Sequence, residues 1–253
     1  MITEKINSDK ADVMGCKKGA AVNLIYNEDC LRTMERMEDN FIDLTITSPP
    51  YNLGNKHHTG NNVFDAYDEY NDDMPEAEYQ AKQIEVMNEL FRVTKEGGSL
   101  MYNHKNRIRD GKQITPYEWI LKTNWTLKQE LVWFNGSQNF DKCRFYPMTE
   151  RIYWLAKGTQ TSFFNEINQH DLIEDTPEGT DKEHKRAFPV KLAQRLILCF
   201  KAELVYDPYL GSGTTAIASL NEKRNWIGSE ISKNYYEQAT KRIKQRNATP
   251  QLF

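Results

Sequence analysis

Short apolar runs alternate with helical segments along most of this chain, and this alternation constrains its fold more than any other feature. The clearest predicted strands are Ile42–Thr47, Leu204–Asp207 and Trp226–Glu230. Helical spacing follows the first two, at Glu76–Val93 and at about 214–221. Strands that alternate with helices form a mostly parallel, twisted sheet covered on both faces. We therefore predict an α/β fold whose ligands bind beyond the carboxyl ends of the strands.

The weaker patterns complete this α/β order. Residues 1–20 are polar and are expected to form a flexible arm, and Gly97-Gly98 is expected to end the helix that begins at Glu76. The other predicted strands are Val22–Tyr26, Ser99–Asn103, Leu127–Phe134 and Arg151–Ala156. The other predicted helices are Cys30–Met37, Pro116–Lys122, Pro189–Phe200 and Ser232–Arg246.

Composition excludes several classes of protein. The 253 residues are 39% hydrophobic and 27% charged, which is typical of a folded globular chain, and the net charge of −3 gives no overall basic character. The four cysteines form no CxxC pair, so neither a zinc site nor a disulfide framework is expected. The sequence contains no signal peptide and no apolar run long enough to span a bilayer. We expect a cytoplasmic protein without a membrane partner.

A glycine-containing turn follows the predicted strand Leu204–Asp207. In the segment Asp207-Pro-Tyr-Leu-Gly-Ser-Gly-Thr-Thr215, Gly211 and Gly213 permit positive φ and a close approach of the backbone to a ligand. No lysine follows the second glycine, so the segment is not a nucleotide-hydrolysing P-loop. Glu230 ends the next strand, about 20 residues further on, where a carboxylate can accept hydrogen bonds from both hydroxyls of a ribose. The pair indicates an adenosine-bearing cofactor, although a plain turn between strand and helix is the alternative.

A second loop follows Ile42–Thr47. Its residues are Ser48-Pro49-Pro50-Tyr51-Asn52, and the two prolines stiffen it and end the strand. The Ser48 hydroxyl and the Pro49 carbonyl can both accept hydrogen bonds from an amino group, while Tyr51 offers a flat ring for stacking. A turn followed by a core tyrosine is the alternative.

Together, the two loops resemble the motifs of DNA amino-methyltransferases. In that family a [DNS]PP[YFW] motif holds the exocyclic amine of a flipped cytosine or adenine, and a DxFxGxGT-like motif holds S-adenosylmethionine; Tyr209 replaces the usual phenylalanine. Three further segments are similar to family motifs: Asn27–Arg32, Phe91–Gly98 and Ala187–Leu192. The catalytic motif precedes the cofactor motif, as in the permuted β-group. The resemblance covers roughly residues 22–246 and implies one Rossmann-like domain over 21–253, with a catalytic half (21–156), a target-recognition insertion (157–186) and a cofactor half (187–253).

The resemblance also implies residue roles. The catalytic residues would be Ser48, Pro49, Pro50 and Tyr51. The residues around S-adenosylmethionine would be Asp29, Phe188, Asp207, Tyr209, Gly211, Gly213, Thr214 and Glu230. Asp29 has a helix cap as its alternative role, and Phe188 a core position. The reaction needs no metal.

Local basic clusters must supply any contact with phosphate. We expect Lys105, Arg107 and Arg109 to contact double-stranded DNA, so that replacing both arginines weakens binding and flattens its salt dependence. Lys185 and Arg186 form a second candidate. A third cluster, Lys241–Arg246, is more typical of a solvated helix face.

The target base stays open at this stage. Serine at the first motif position is commoner among N4-cytosine enzymes of the resembled family, which favours cytosine slightly over adenine N6. Two segments could read sequence, Leu53–Met74 and Lys157–Arg186. A restriction enzyme and a homodimer are candidate partners. The rival functions are a non-catalytic protein that binds DNA or cofactor with this fold, and methylation of RNA or of a protein amide.

Overall fold

A computed structural model describes residues 21–53, 72–136, 144–175 and 188–248. Its main sheet has eight strands: β1 (Leu24–Tyr26), β2 (Ile42–Thr47), β3 (Thr94–His104), β6 (Thr126–Phe134), β7 (Thr149–Ala156), β8 (Leu172–Ile173), β9 (Leu204–Asp207) and β10 (Asn225–Ser229). Their spatial order is β1-β10-β9-β2-β3-β7-β6-β8. The pairs from β1 through β3 and the pair of β6 with β8 are parallel, whereas β7 is antiparallel to both of its neighbours. The predicted mostly parallel sheet is confirmed.

Within the described ranges, six helices cover the sheet: α1 (Cys30–Glu35), α2 (Glu76–Val93), α3 (Tyr117–Ile120), α4 (Val190–Leu198), α5 (Thr214–Asn221) and α6 (Lys233–Ala248). Successive strand residues point to opposite faces. Accordingly, Leu100 and Tyr102 of β3 pack with α1, α2 and α3, whereas Met101 packs on the face covered by α4 and α5. A third cluster joins α5 and α6 to β1 and β10. Helices therefore lie on both faces, as predicted.

The strand order reverses between β9 and β2, which lie side by side at the centre of the sheet. From β9 the chain passes through α5 to β10 on one side, and from β2 it passes through α2 to β3 on the other. Such a switch point leaves a crevice beyond the carboxyl ends of the two strands. The two loops singled out from the sequence begin at these two strand ends.

The prediction that Gly97-Gly98 ends a helix is wrong. The helix ends at Val93, and both glycines lie inside β3, where the pairing with β2 shifts register between Ile42 and Leu44. Gly97 has a φ of 79°, and a Cβ on Gly98 would lie 2.9 Å from the Asp43 carbonyl oxygen. These glycines permit an irregular strand rather than a helix end.

The sequence patterns did not predict the hairpin of β4 (Arg107–Arg109) and β5 (Lys112–Ile114) or the edge strand β8. Asp110-Gly111, with φ values of 50° and 73°, joins the two strands of the β4–β5 hairpin. Within the polar segment after Lys157, β8 pairs with β6 at the edge of the main sheet. Over the described ranges, no helix combines the length and apolarity needed to cross a bilayer.

Candidate active site at the switch point

The catalytic loop begins where β2 ends. Thr47 is the last residue of the strand, and Ser48, Pro49 and Pro50 continue it without strand pairing because proline has no amide proton to donate. Ser48 and Tyr51 are half-buried, and the Ser48 Oγ lies 2.6 Å from the Tyr51 Oη. The Asn103 amide donates to the Tyr51 Oη at 2.8 Å and more distantly, at 3.4 Å, to the Ser48 Oγ. The serine therefore already has hydrogen-bonded neighbours.

Glu150, near the start of β7, extends this cluster. Its Oε2 accepts hydrogen bonds from the Tyr51 hydroxyl and from the Asn103 amide, both at 2.9 Å. Its Oε1 accepts from Asn135 at 2.9 Å and lies 3.1 Å from the Lys105 ammonium. The catalytic loop is thus tied to the carboxyl end of β3 and to both strands of the β6–β7 pair.

Both prolines present a carbonyl oxygen, and the two differ in their contacts. The Tyr79 hydroxyl lies 2.8 Å from the Pro50 carbonyl oxygen and 2.7 Å from the His104 Nε2. Burial lowers the pKa of His104 to about 3, so the imidazole is neutral at physiological pH. Among the described residues, no hydrogen bond to the Pro49 carbonyl is found, and its role as an acceptor for an amino group stays a prediction.

Asn52 fixes the far end of the catalytic loop. It is buried with a φ of 55°, and its side chain donates to the Met74 carbonyl at 3.0 Å and accepts from the Met74 amide at 2.7 Å. The backbone amide of Asn52 donates to the Asp72 Oδ1 at 2.7 Å. These contacts hold the chain on either side of residues 54–71, which lie outside the described part.

The cofactor turn joins β9 to α5. Gly211 and Gly213 have φ values of 53° and 90°, and the Gly211 amide donates to the Glu230 Oε2 at 2.7 Å. The Glu230 Oε1 accepts from the Ser232 amide at 2.8 Å. A carboxylate oxygen can accept more than one hydrogen bond, so a carboxylate that holds the turn is also chemically suited to ribose hydroxyls.

Asp207 connects the two loops. Its Oδ1 accepts from the Thr47 hydroxyl at 2.8 Å and from the Tyr209 amide at 3.0 Å, and its Oδ2 accepts from the Thr215 hydroxyl at 2.6 Å. Burial raises the pKa of Asp207 to about 6, against the lowering effect of these hydrogen bonds. A buried carboxylate with a raised pKa at the switch point is typical of a functional site.

The other predicted cofactor residues lie around the same crevice or behind it. Asp29 caps α1 by accepting from the Leu31 amide at 2.9 Å, as its alternative role requires. Phe188 is buried in the cluster with Leu44 and α4, which is its alternative core position. Tyr209 is partly buried, and Thr214 is buried at the start of α5.

These residues fit an adenosine-bearing sulfonium cofactor. A Cβ built on Gly211 would have, of the residues that the structure describes, only the Tyr209 carbonyl oxygen within 4 Å, at 3.9 Å, so these residues leave open space beside its backbone. Glu230 supplies acceptors beside that space, and Asp207 supplies a carboxylate toward the catalytic loop. The donor set therefore suits ribose hydroxyls and a cationic group, and we expect it to hold S-adenosylmethionine.

The expectation of a phosphate contact is wrong for Arg107. Its side chain is 3% exposed, and its two terminal nitrogens donate to the Glu76 carboxylate, both at 2.8 Å. Its guanidinium also lies 4.8 Å from the centre of the Tyr79 ring. Arg107 therefore anchors the β4–β5 hairpin to the start of α2, which a count of charges could not reveal.

The other basic residues that were expected to contact phosphate, where the structure describes them, are more exposed than Arg107. Lys105 and Arg109 are 33% and 30% exposed, and Arg109 donates to the carbonyls of Asn52 and Met74 at 3.2 and 3.3 Å. Lys185 and Arg186 lie outside the described residues. Of the third cluster, Arg242 donates to the Ser212 carbonyl and hydroxyl, both at 2.7 Å, and so supports the cofactor turn instead of facing only solvent.

Four polar residues at the site were missed: Asn52, Thr47, Asn103 and Glu150. The first three were visible as polar residues at or just after a strand's carboxyl end, where this fold places ligands. Glu150 gave a weaker signal, a carboxylate just before the apolar run of β7. Its partners come from three other segments, so only the tertiary structure brings it to the loop.

Comparisons with known proteins agree with this architecture. A family model named N6_N4_Mtase and described as DNA methylase matches residues 42–241. The orphan methyltransferase M.BamHII of Bacillus amyloliquefaciens is 28% identical over 262 residues, which span 83% of this chain and 91% of that protein.

Solved structures match the fold as well. The PvuII DNA methyltransferase, described as cytosine-N4-specific, superposes with a TM-score of 0.71 at 19% identity, over 90% of this chain and 87% of its own. A DNA modification methylase of Thermus thermophilus, complexed with S-adenosyl-L-methionine and described as putative, gives a TM-score of 0.65 at 20% identity, over 89% and 95% of the two chains. The likenesses confirm the predicted fold class.

Proposed function

Because this chain belongs to the N6_N4_Mtase family of DNA methylases, we propose that it transfers a methyl group from S-adenosylmethionine to the exocyclic amine of a base flipped out of double-stranded DNA. The observation that carries this function is the hydrogen bond from Thr47 to Asp207, which places the catalytic loop against the cofactor turn. When bound, the cofactor supplies a methyl group activated by its sulfonium. The chain supplies position and hydrogen bonds.

The residues of the catalytic loop would orient the base. The Ser48 Oγ and the Pro49 carbonyl each accept one N–H of the amine, which favours a tetrahedral nitrogen whose lone pair can point at the methyl carbon. Tyr51 would stack on the extruded base, which must leave the duplex to reach the site. Gly211 and Glu230 would hold the ribose, and Asp207 the methionine end, of the cofactor.

We propose N4 of cytosine as the target, with N6 of adenine as the alternative. Ser48 at the first motif position and the likeness to the PvuII enzyme support cytosine. Mass spectrometry of DNA methylated by the purified protein decides between N4-methylcytosine and N6-methyladenine. Methylation-aware sequencing of DNA from an expressing host gives the base and the site together.

The face that would meet DNA surrounds the catalytic loop. Lys105 and Arg109 are the described candidates for phosphate contact, and residues 157–186 are the proposed target-recognition insertion, with Lys185 and Arg186 as a second phosphate contact. Phe145 is 99% exposed in the connection from β6 to β7, whose strand ends hold Asn135 and Glu150. A fully exposed aromatic ring beside such a site is suited to insertion into the duplex.

Phe145→Ala tests this DNA face. We expect weaker binding of duplex DNA, and reduced fluorescence of 2-aminopurine placed at the target, with an unchanged melting temperature. Leu121→Ala removes another exposed apolar side chain, at the end of α3, and serves as the matched control. Equal DNA binding by both variants and the unmodified protein would remove Phe145 from the interface.

The enzymatic assignment is tested by incubating the protein with labelled S-adenosylmethionine and separate pools of duplex DNA, RNA and protein. We expect label in duplex DNA with the unmodified chain and none with Ser48→Ala. Label in RNA or protein alone would favour the alternative substrates. Cofactor binding without transfer to any pool would favour a non-catalytic protein.

Three further proposals concern context. A cognate restriction enzyme would be revealed as a nuclease activity blocked by DNA that this protein has methylated. A homodimer would appear as a doubled mass in light scattering. A cytoplasmic location is tested by fractionation of the host cell.

A further inference from the structure

The hydrogen-bond donors around Glu150 determine which way protons point at the catalytic loop. Glu150 is 6% exposed, and its four neighbours are the Tyr51 hydroxyl, the amides of Asn103 and Asn135, and the Lys105 ammonium. Amide and ammonium nitrogens can only donate, and an ionised carboxylate can only accept. The cluster is therefore complementary to a carboxylate, and the single proton of Tyr51 is directed at the Glu150 Oε2.

The direction of the next hydrogen bond follows from the first. A tyrosine hydroxyl has one proton, and Glu150 receives it. The contact of 2.6 Å between the Ser48 Oγ and the Tyr51 Oη must then use the proton of Ser48. The Asn103 side-chain nitrogen, 2.8 Å from the Tyr51 Oη, can only donate, so it cannot accept the Tyr51 proton in place of Glu150. The Ser48 hydroxyl consequently donates to Tyr51, and it keeps a lone pair for a ligand beside the one that faces the Asn103 amide at 3.4 Å.

This orientation matters because serine can either donate or accept. A freely rotating hydroxyl could direct its proton at the amine, where two donors would oppose each other. We propose that Glu150 is a positioning residue for methyl transfer: acting through Tyr51, it fixes the Ser48 hydroxyl as the acceptor of a hydrogen bond from the target amine. This inference rests on the proposed function.

Packing alone does not require a carboxylate at this position. Glu150 pairs with Trp133 in the β6–β7 ladder, and the residues that follow it in β7, such as Ile152 and Leu155, are buried and apolar. Burying a charge carries a large desolvation cost, which the hydrogen bonds from the surrounding donors offset. The carboxylate is instead the one group at this point of the site that accepts from every neighbour.

Glu150→Gln should reverse the chain of hydrogen bonds with little change in volume. The charge of Lys105 favours the glutamine oxygen on its own side, so the NH₂ group would face Tyr51. Tyr51 would then accept from Gln and donate to Ser48, whose proton would turn toward the ligand. Tyr51→Phe removes the intermediate hydroxyl and keeps the ring, so it breaks the same chain at another point.

The experiment measures single-turnover methyl transfer on a duplex that carries the site methylated by the unmodified protein. We expect Glu150→Gln and Tyr51→Phe each to lower the rate by about 10- to 100-fold. The double variant should be no slower than the slower single variant, because both changes break one chain. Asn135→Ala removes a donor to the other carboxylate oxygen, Oε1, which Lys105 also contacts, and it should cost much less.

A binding measurement provides a readout apart from activity. The unmodified protein should bind duplexes with the target amine about tenfold more tightly than duplexes in which the target lacks that amine, and Glu150→Gln should reduce this preference toward one. Cofactor affinity should change little. If Glu150→Gln folds poorly, Tyr51→Phe is measured in the same way.

Two failures are distinguishable. If the unmodified protein methylates no DNA, the proposed function is wrong. If it methylates DNA but Glu150→Gln keeps its rate and its preference for the amine, or if the losses of the two single variants multiply in the double variant, the positioning role is overturned.

Discussion

The Asn52 side chain makes two hydrogen bonds with the Met74 backbone, across the ends of the segment 54–71. Asn52 itself has a left-handed backbone conformation. Asparagine tolerates positive φ better than most residues with a side chain, and here its amide also replaces a strand partner for Met74. The residue that follows the catalytic tyrosine therefore positions both the loop and the start of α2.

Asn52→Ala should lower the free energy of unfolding by about 2–4 kcal/mol, since it adds left-handed strain and leaves two buried groups of Met74 without partners. Asn168→Ala is the matched control. It has a φ of 52° but is exposed, and its side chain makes no hydrogen bond within the described residues, so it reports strain alone. Equal losses by denaturant unfolding would contradict a role for the Asn52 side chain.

Asp207 should make stability depend on pH. Burial raises its pKa from 3.8 to about 6, so between these values the folded state binds more protons than the unfolded state. Its contribution to stability is fully present below about pH 4 and is lost as the pH rises through about 6, on the order of 3 kcal/mol. Denaturant unfolding of the ligand-free protein and of Asp207→Asn is measured across pH 4–7. As the pH rises over this range, the free energy of unfolding of the variant should increase relative to that of the unmodified protein. A constant difference would mean that Asp207 does not titrate in this range.

At the scale of elements, the cofactor turn is packed against α6. Gly213 precedes α5 with a φ of 90°, and a Cβ there would lie 3.2 Å from the Cβ of Ala239 in α6. Gly111 in the β4–β5 hairpin has a similar φ of 73° with nothing within 4 Å of an added Cβ. Substitutions at Gly213 and Gly111 therefore distinguish the cost of backbone strain, which both share, from the cost of crowding, which arises only at Gly213.

Gly213→Ala should therefore cost more stability than Gly111→Ala, which we expect to cost about 1–2 kcal/mol from strain. The excess arises because α6 must shift, and it should be accompanied by weaker cofactor binding, since Gly213 lies in the cofactor turn. Unfolding and isothermal titration check the two effects. Equal losses would show that α6 moves freely.

The β4–β5 hairpin is attached to α2 through Arg107 and Glu76. Arg107→Met should cost about 1.5–3 kcal/mol, because it removes both 2.8 Å hydrogen bonds to Glu76, whose carboxylate keeps only Gln80 at 3.0 Å and Arg109 at 3.7 Å among the described residues. The slope of log K against log salt for DNA binding should stay unchanged, since the buried guanidinium is not available to phosphate. A flatter slope would restore the DNA contact that the sequence alone indicated. Lys105→Met is the comparison, and it should flatten the slope.

At the scale of the whole molecule, the catalytic and cofactor halves share one core. Leu204 and Tyr206 of β9 and Ile227 of β10 pack in the same cluster as Leu100 and Tyr102 of β3. The central β2–β9 pairing also joins the halves, so neither half can bury its apolar surface alone.

Unfolding should therefore be a single cooperative transition, with tryptophan fluorescence and far-UV circular dichroism giving the same midpoint. The isolated segment 21–156 should not fold, because one edge of β2 and an apolar sheet face would be exposed. Two separate transitions, or a folded isolated segment, would show that the halves are independent units.

The sequence by itself determined the α/β class, the strands that end in loops and the two loops that carry the proposed chemistry. These follow from local signals: apolar periodicity, prolines that end a strand, and glycines that permit a turn. The tertiary structure alone decided that Thr47 contacts Asp207, that Arg107 is buried and that Glu150 reaches Tyr51. Such contacts join residues distant along the chain, and their geometry depends on strand order and packing, which local patterns do not contain.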